Sequence, residues 1–409
     1  MARPNPRLFP LRPEAEFLVW CARTVLTHDL TSRIRARTQE TLNWSIVQKM
    51  AEYHGVVPLV YKNLSAVSSD LVPDKLLMQL RHKTQAEAML NRALANELVV
   101  VCEAMTARGV PVIPIKGATL AVSAYGDVAL REFTDLDLLV PKASMAAAQA
   151  VLLAQGYTRR TALDKSGETD REQGPYHVYL KARGLSRVDL QWVMAHQFFT
   201  FQLDRPEFWR SRIEVPVENK TVPGLAPELL LIVLCVHGSK HAWELLKWVC
   251  DVAELLRSHP HLDWNQIDVY AANWRCRGML SMGLSLAHRV LDAPLPERVL
   301  AQLERESAIQ MLSHRMPASL LANSQEGIHE EQAGALYFSL KDSWWERWWL
   351  GLLLCRAHSM LATTPPSWFR WRHSLPRLAR LIIPVHRVMK DLLSPTVRGT
   401  INRWIAPSR

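Results

Sequence analysis

Apolar residues recur three and four positions apart through the first hundred residues of this chain. They contract into short β-branched runs between 110 and 193, and return to helical spacing beyond about 225. That change of period predicts helices, then a small sheet, then helices again. In the first part, NWSIVQKMAEYHGVVPLVYKNL (43–64) has helical spacing with a break at Gly55 and Pro58. The stretch 74–109, DKLLMQLRHKTQAEAMLNRALANELVVVCEAMTARG, has the length of one long helix or two stacked ones and ends on glycine.

The middle part changes character. VPVIPI (110–115), bracketed by Gly109 and Gly117, reads as a buried strand. ATLAVSAYG then reads as a helix, DLDLLV (135–140) as a second strand, and SMAAAQAVLLAQG (144–156) as a helix stopped at Gly156. YHVYLKA (176–182) and RVDLQWV (187–193) read as strands around a turn containing Gly184. This order predicts a small α+β domain with a mixed sheet, and the polar stretch 161–175 reads as a mobile loop beside it. Later helical segments are separated by Pro260, Pro294 and TTPP at 363–366, with no repeat of fixed period. The expected division is a helical region over 1–108, an α+β domain over 109–222 and a second helical region over 223–409.

Two aspartates interrupt the second strand. Residues i and i+2 of a strand share a face, so Asp135 and Asp137 project together while Leu136 and Leu138 enter the core. Like charges that close raise one another's pKa unless a cation lies between them. Asp189, flanked by apolar residues in RVDLQW, offers a third carboxylate from another strand. A hard divalent ion takes carboxylates and fills its remaining positions with water and phosphate oxygens, and three such groups suit a two-metal site. Two solvated aspartates at a strand edge are the plainer reading of DLD alone. Gly117 also ends a strand and opens a helix, a geometry in which backbone N–H groups receive phosphate, and Lys116 adds a point charge.

Composition narrows the setting. A hydrophobic content of 48% with only 16 glycines describes a globular, helix-rich protein. Cys21, Cys102, Cys235, Cys250, Cys276 and Cys355 are scattered without CxxC spacing, which predicts free thiols in a reducing cytoplasm. No signal peptide is evident, and the apolar run WWLGLLLC (348–355) is far shorter than the ~20 residues of a membrane span. Of the formal charge of +10, much lies in the tail, where residues 370–409 carry nine Lys/Arg and one acid. That tail reads either as a solvated face or as a surface for an anionic partner, RNA or membrane.

The stretch IKGATLA…YGDVALREFTDLDLLV…AAQAVLLAQGY…VDLQW resembles the uncharacterised bacterial nucleotidyltransferase family of the DNA-polymerase-β-like superfamily. The resemblance extends to WSIVQKMAEYHGVVPLVYKNL and to HGSKHAWELLKWVCDVAELLR (237–257), and is least distinct beyond Arg370. It implies transfer of a nucleoside monophosphate from an NTP such as ATP to an acceptor, with pyrophosphate released and Mg²⁺ or Mn²⁺ required. Asp135, Asp137 and Asp189 would be the metal ligands, and Asp189 would also help deprotonate the acceptor hydroxyl. Lys116, Gly117, Ala118 and Thr119 stand at the phosphate-binding turn, although Ala118 replaces the usual small hydroxyl residue. Gln191 departs from the DLHW common in the family. The acceptor, whether small molecule, protein or RNA, and the base preference are not readable.

Arg131 matches an arginine usual in the family, and it is expected either to contact phosphate or to pair with Asp135 or Glu132. His237, His241, Glu244, Trp248 and Asp251 recur at spacings of 4, 3, 4 and 3 and are expected to share one helix face. That face, with Lys240 beside it, either lines the nucleotide cleft or seals two packed helices. His177 and the tryptophans Trp344, Trp345, Trp348 and Trp349 read as structural. Two other functional classes compete with the enzyme: a binding or regulatory module on the same fold, and a basic adaptor working through the amphipathic stretch 376–393, which Pro384 would kink.

Overall fold

The structure, a computed structural model, describes residues 11–159, 176–181, 186–196, 199–322 and 340. The chain opens with helices α1 (Pro13–Cys21), α2 (His28–Thr38), α3 (Trp44–Tyr53), α4 (Val57–Val67) and α5 (Asp74–Ala107). The break expected in 43–64 falls between α3 and α4. Gly55 there takes a positive φ of 65°, and Pro58 sits in the first turn of α4, where its missing N–H is harmless. The long pattern is one helix, α5, of 34 residues and so about 50 Å in length.

The α+β part follows: β1 (Ile113–Pro114), α6 (Ala118–Tyr125), β2 (Leu136–Leu139), α7 (Met145–Ala154), β3 (Tyr157–Arg159), β4 (Tyr176–Lys181) and β5 (Arg187–Gln191). These strands form one mixed sheet in the order β1-β2-β5-β4-β3, with β2 and β5 parallel and the other pairs antiparallel. The fold class is α+β, as expected. Three features go beyond the sequence reading. Only Ile113 and Pro114 of the run 110–115 pair as a strand. Tyr157–Arg159 adds an edge strand, and two hairpins lie beyond the sheet: β6 (Val193–His196) with β7 (Phe199–Gln202), and, after α8 (Pro206–Arg210), β8 (Arg212–Val217) with β9 (Lys220–Leu225). The remaining helices are α9 (Pro227–Lys240), α10 (Leu246–Ser258), α11 (Trp264–Asn273), α12 (Arg277–Leu291), α13 (Glu297–Arg305) and α14 (Ser307–Ala322).

Two apolar cores hold these elements. One joins the first helices to the last, with Phe17, Met50 and Leu64 packed in the same cluster as Leu231, Val236, Leu255 and Met282. The other backs the sheet, with Leu98, Cys102 and Met105 against Leu136, Leu138, Val188 and Leu190. Helix α5 enters both, since Leu76 and Leu80 belong to the first core and Leu94 to Met105, near its end, to the second. Cys21, Cys102, Cys235, Cys250 and Cys276 are buried free thiols. Among the described residues no helix is long and apolar enough to cross a membrane. The polar stretch 161–175, Cys355, the tryptophan pairs at 344–349 and the basic tail lie outside the described residues.

Midway along α5 the acid Glu87 meets Glu132, with Lys83, Glu52 and Lys247 nearby. Burial, then the charge of Glu132, push the Glu87 carboxyl from its ordinary 4.5 up to about 8. The folded protein therefore retains a proton that the unfolded chain releases near 4.5. Its contribution to stability is complete below that pH and is lost as pH rises through about 8. The midpoint of urea unfolding is expected to fall across this window, and Glu87→Gln to remove that part of the slope and to stabilise the protein at its upper end.

Candidate metal centre

The parallel pairing of β2 with β5 sets Asp137 opposite Asp189. Leu136, Leu138, Val188 and Leu190 alternate with them into the core, so both aspartates face the other way. Asp135 precedes β2 on the same side. Ligand oxygens of Asp135, Asp137 and Asp189 all lie within 4.8 Å of one another. The sequence reading of three clustered carboxylates is thus what the sheet register produces.

Cationic and amide groups of the chain already engage two of the three. Lys116 Nζ lies 2.9 Å from Asp137 Oδ2, and Gln191 Nε2 donates to Asp137 Oδ1 at 3.1 Å. Gln191, where the sequence departs from the common pattern, is therefore a donor to the carboxylate cluster. Arg187 grips Asp189 with two hydrogen bonds, Nε to Oδ1 at 2.8 Å and a terminal nitrogen to Oδ2 at 2.6 Å. Asp135 has no such partner among the described residues. Burial, then the charge of Asp137, push its carboxyl above the ordinary range. Asp137 is half-buried, and although burial opposes it, Lys116 holds its carboxyl below that range. The donor set is all hard oxygen and an ammonium already stands against it, which fits a divalent cation.

The turn before α6 is built on Gly117, with φ 63° and ψ −129°, a conformation that glycine alone adopts easily. A Cβ there would find room, its closest neighbours being Asp135 O and Phe133 at 3.6 Å, so backbone conformation rather than space requires glycine. Gly117→Ala is expected to lower stability by about 1–3 kcal/mol through strain, read as a lower urea midpoint with an unchanged slope. Ala118 is fully buried, and Thr119 donates its hydroxyl to Lys116 O at 2.9 Å. Thr119 thus braces the turn, and no side chain caps the N–H groups at the start of α6.

Arg131 pairs with neither Asp135 nor Glu132. Its Nε and a terminal nitrogen donate to the two oxygens of Asp251 at 2.7 and 2.9 Å, and Tyr125 donates to the same carboxylate at 2.7 Å. Asp251 and Arg131 are 1% and 7% exposed, so this is a buried clamp between the approach to β2 and helix α10.

The stripe expected on one helix face is split. Helix α9 ends at Lys240, and Ala242 and Trp243 take φ values of 50° and 56°, which turns the chain before α10 begins. Trp243 is fully buried, and its ring lies where a side chain on Gly238 would be, which accounts for glycine directly after His237. Burial of that ring offsets the strain of two non-glycine residues in the left-handed region. The bend brings His237, His241 and Trp248 together all the same. His241 stacks on Trp248 with centroids 4.8 Å apart, and His237 meets both edge-on. His237 lies 3.2 and 3.3 Å from Lys116 Nζ through its two ring nitrogens, and burial, then Lys116, push its pKa well below the imidazole range. Lys240 is lowered by burial, then by Lys116, and it acts electrostatically on Asp137 and Asp189. Glu244 instead accepts from Tyr53 at 2.8 Å, and Asp251 belongs to the Arg131 clamp. His177 meets Trp192 edge-on at 5.8 Å.

Sequence reasoning missed the part played by the first helices. The turn between α3 and α4 lies against the start of α10: Leu246 N–H donates to His54 Nδ1 at 3.3 Å and Lys247 N–H to His54 O at 3.2 Å. Glu132, three residues before Asp135, accepts from Val57 N–H at 3.3 Å. The glycine at position 55 is the sequence signal for a special turn, but nothing in the sequence says what that turn touches.

No curated protein matches the chain. Among solved structures it is similar to ANT(2'')-Ia in complex with adenylyl-2''-tobramycin, at 15% identity and a TM-score of 0.33, covering 45% of this chain and 98% of that one. It is likewise similar to a solution structure of the antibiotic-resistance factor ANT(2'')-Ia, at 15% identity and a TM-score of 0.32, covering 45% and 92%. The profile of the uncharacterised nucleotidyltransferase family matches residues 40–292, from α3 through the sheet to the end of α12. That span takes in well over half of the chain, including all three carboxylates, and the protein belongs to that nucleotidyltransferase family.

Proposed function

We propose that the cleft between the β2–β5 edge and the α9–α10 bend binds a metal-complexed NTP and moves its NMP to an acceptor hydroxyl. The observation that carries this reading is the convergence of Asp135, Asp137 and Asp189 within 4.8 Å on strands of fixed register. Mg²⁺ or Mn²⁺ would be held by these three and would supply Lewis-acid stabilisation of the phosphate charge. The acceptor oxygen forms a bond to the α-phosphorus while the bond from that phosphorus to the bridging oxygen breaks. Pyrophosphate leaves with the electron pair, and the acceptor's proton passes to Asp189, which must exchange a hydrogen bond from Arg187 to take it.

Lys116 faces the same carboxylates, and Gly117 opens the helix whose free N–H groups face phosphate. The His241–Trp248 stack, with Lys240 beside it, offers a flat cationic wall to base or acceptor. Acceptor candidates remain small molecule, protein or RNA, since fold does not select among them. The divisions near 108 and 222 mark the stretch that carries the carboxylates, while residues on either side complete the cleft.

The test is pyrophosphate release from each of the four NTPs with Mg²⁺ or Mn²⁺, using cell lysate as acceptor source. Metal-dependent release is the expected result, and absence of both release and NTP binding would overturn the reading. A second reading, a nucleotide-binding module without turnover, is favoured by the chain's own cations on Asp137 and Asp189. It predicts NTP binding that persists without metal and no pyrophosphate release with any acceptor.

A further inference from the structure

The cations around the carboxylates are mostly committed: Lys116 to Asp137, Arg187 to Asp189 and Arg131 to Asp251. Lys247 is different. It is half-buried at the first turn of α10, and among the described residues no hydrogen bond or ion pair reaches its ammonium. The charges of Asp251, Glu132 and Asp135 act on it attractively and that of Arg131 repulsively, yet it closes on none of these acids. Burial, then Arg131, lower its pKa, which marks an ammonium short of partners.

Its side chain is nevertheless held in place. The backbone N–H of Lys247 donates to His54 O, and the stem runs over the bare backbone of Gly55. A Cβ on Gly55 would stand 2.7 Å from Lys247 Cδ, 3.5 Å from Cε and 3.3 Å from Glu132 Oε2. A half-buried charge held without a partner is unfavourable in the free protein and is relieved by an anion. A compact ammonium on a flexible stem suits a phosphate that arrives with the ligand.

We propose that Lys247, seated by Gly55 of the turn between α3 and α4, binds the polyphosphate end of the ligand beside Asp135. The inference rests on the reading of the cleft as a nucleotide site, and it assigns the first helices a part in that site. It also accounts for a glycine at position 55 beyond the end of α3: any side chain there would displace the lysine stem.

Isothermal titration of the full chain with inorganic tripolyphosphate and Mg²⁺ tests it. Lys247→Met is expected to weaken binding roughly 10- to 100-fold. Its melting temperature should equal or exceed that of the wild type, because no ion pair is lost. Lys247→Arg should recover part of the affinity, and Gly55→Ala should weaken binding with Lys247 intact. Wild-type affinity in Lys247→Met, or no tripolyphosphate binding by the wild type, would overturn the assignment. The Asp135→Ala/Asp137→Ala variant separates the two readings. If it loses metal-dependent NTP binding while Lys247→Met binds normally, only the lysine assignment fails. If it binds and turns over NTP as the wild type does, the metal reading fails instead.

Discussion

Asp135→Asn and Asp137→Asn are each expected to reduce metal-dependent pyrophosphate release by roughly 10³-fold or more, yet to move the stability of the metal-free protein in opposite directions. The shared loss follows from removing one of the three proposed metal ligands from a cluster confined within 4.8 Å. The divergence follows from their neighbours. Asp135 is a half-buried carboxylate without a cationic partner of its own, repelled by Asp137, so an uncharged amide there relieves repulsion and should raise the melting temperature. Asp137 carries Lys116 at 2.9 Å and Gln191 at 3.1 Å, so its amide leaves a buried lysine, 9% exposed, without its carboxylate. That loss should lower stability by about 1–3 kcal/mol. Mg²⁺ at a hundred times its dissociation constant should stabilise the wild type by about 2.7 kcal/mol and neither variant appreciably. Thermal melts with and without metal, beside the pyrophosphate assay, check all three statements. Equal metal-induced shifts in wild type and variants would remove these aspartates from the site.

The largest effect on stability alone is expected at Asp251. Asp251→Ala leaves the guanidinium of Arg131 buried with both of its hydrogen bonds unmade, and takes the acceptor from Tyr125. Removing one partner of a buried ion pair costs about 3–5 kcal/mol, because the remaining charge is neither solvated nor paired. Replacing both charged groups together, Arg131→Met with Asp251→Leu, should restore most of that stability, as the uncompensated charge disappears with its partner. Activity should not return in the double variant to the same extent, since the clamp fixes α10, and Lys247 on it, against the approach to Asp135. Urea unfolding of the two single variants and the double variant gives the coupling energy. A cost under about 1 kcal/mol for Asp251→Ala would show that Arg131 finds another anion, as a phosphate-contacting arginine would.

The candidate centre was legible to an unusual degree because strands fix side-chain direction locally. Leu136, Asp137 and Leu138 alternate, as do Val188, Asp189 and Leu190, and a period of two assigns each aspartate to the face away from the core. Gly117 was legible for a related reason, as a glycine between a strand and a helix marks a turn that other residues resist. The stripe from His237 to Asp251 was misread because helical spacing says nothing of a bend made by Ala242 and Trp243. Neither residue favours positive φ, and the turn persists only because the Trp243 ring is buried over Gly238.

By itself, then, the sequence determined the α+β class, the helical character of 74–109, the three carboxylates and the glycine turn before α6. Each of these is set by interactions between near neighbours along the chain or by the two-residue repeat of a strand. Only the tertiary structure decided that Arg131 belongs to Asp251, that Gln191 donates to Asp137, and that His54 meets Leu246 across 192 residues of chain. It also laid Lys247 over Gly55. Those pairings depend on which helix faces pack together, and that choice is made by burial summed over two whole cores rather than by any local pattern.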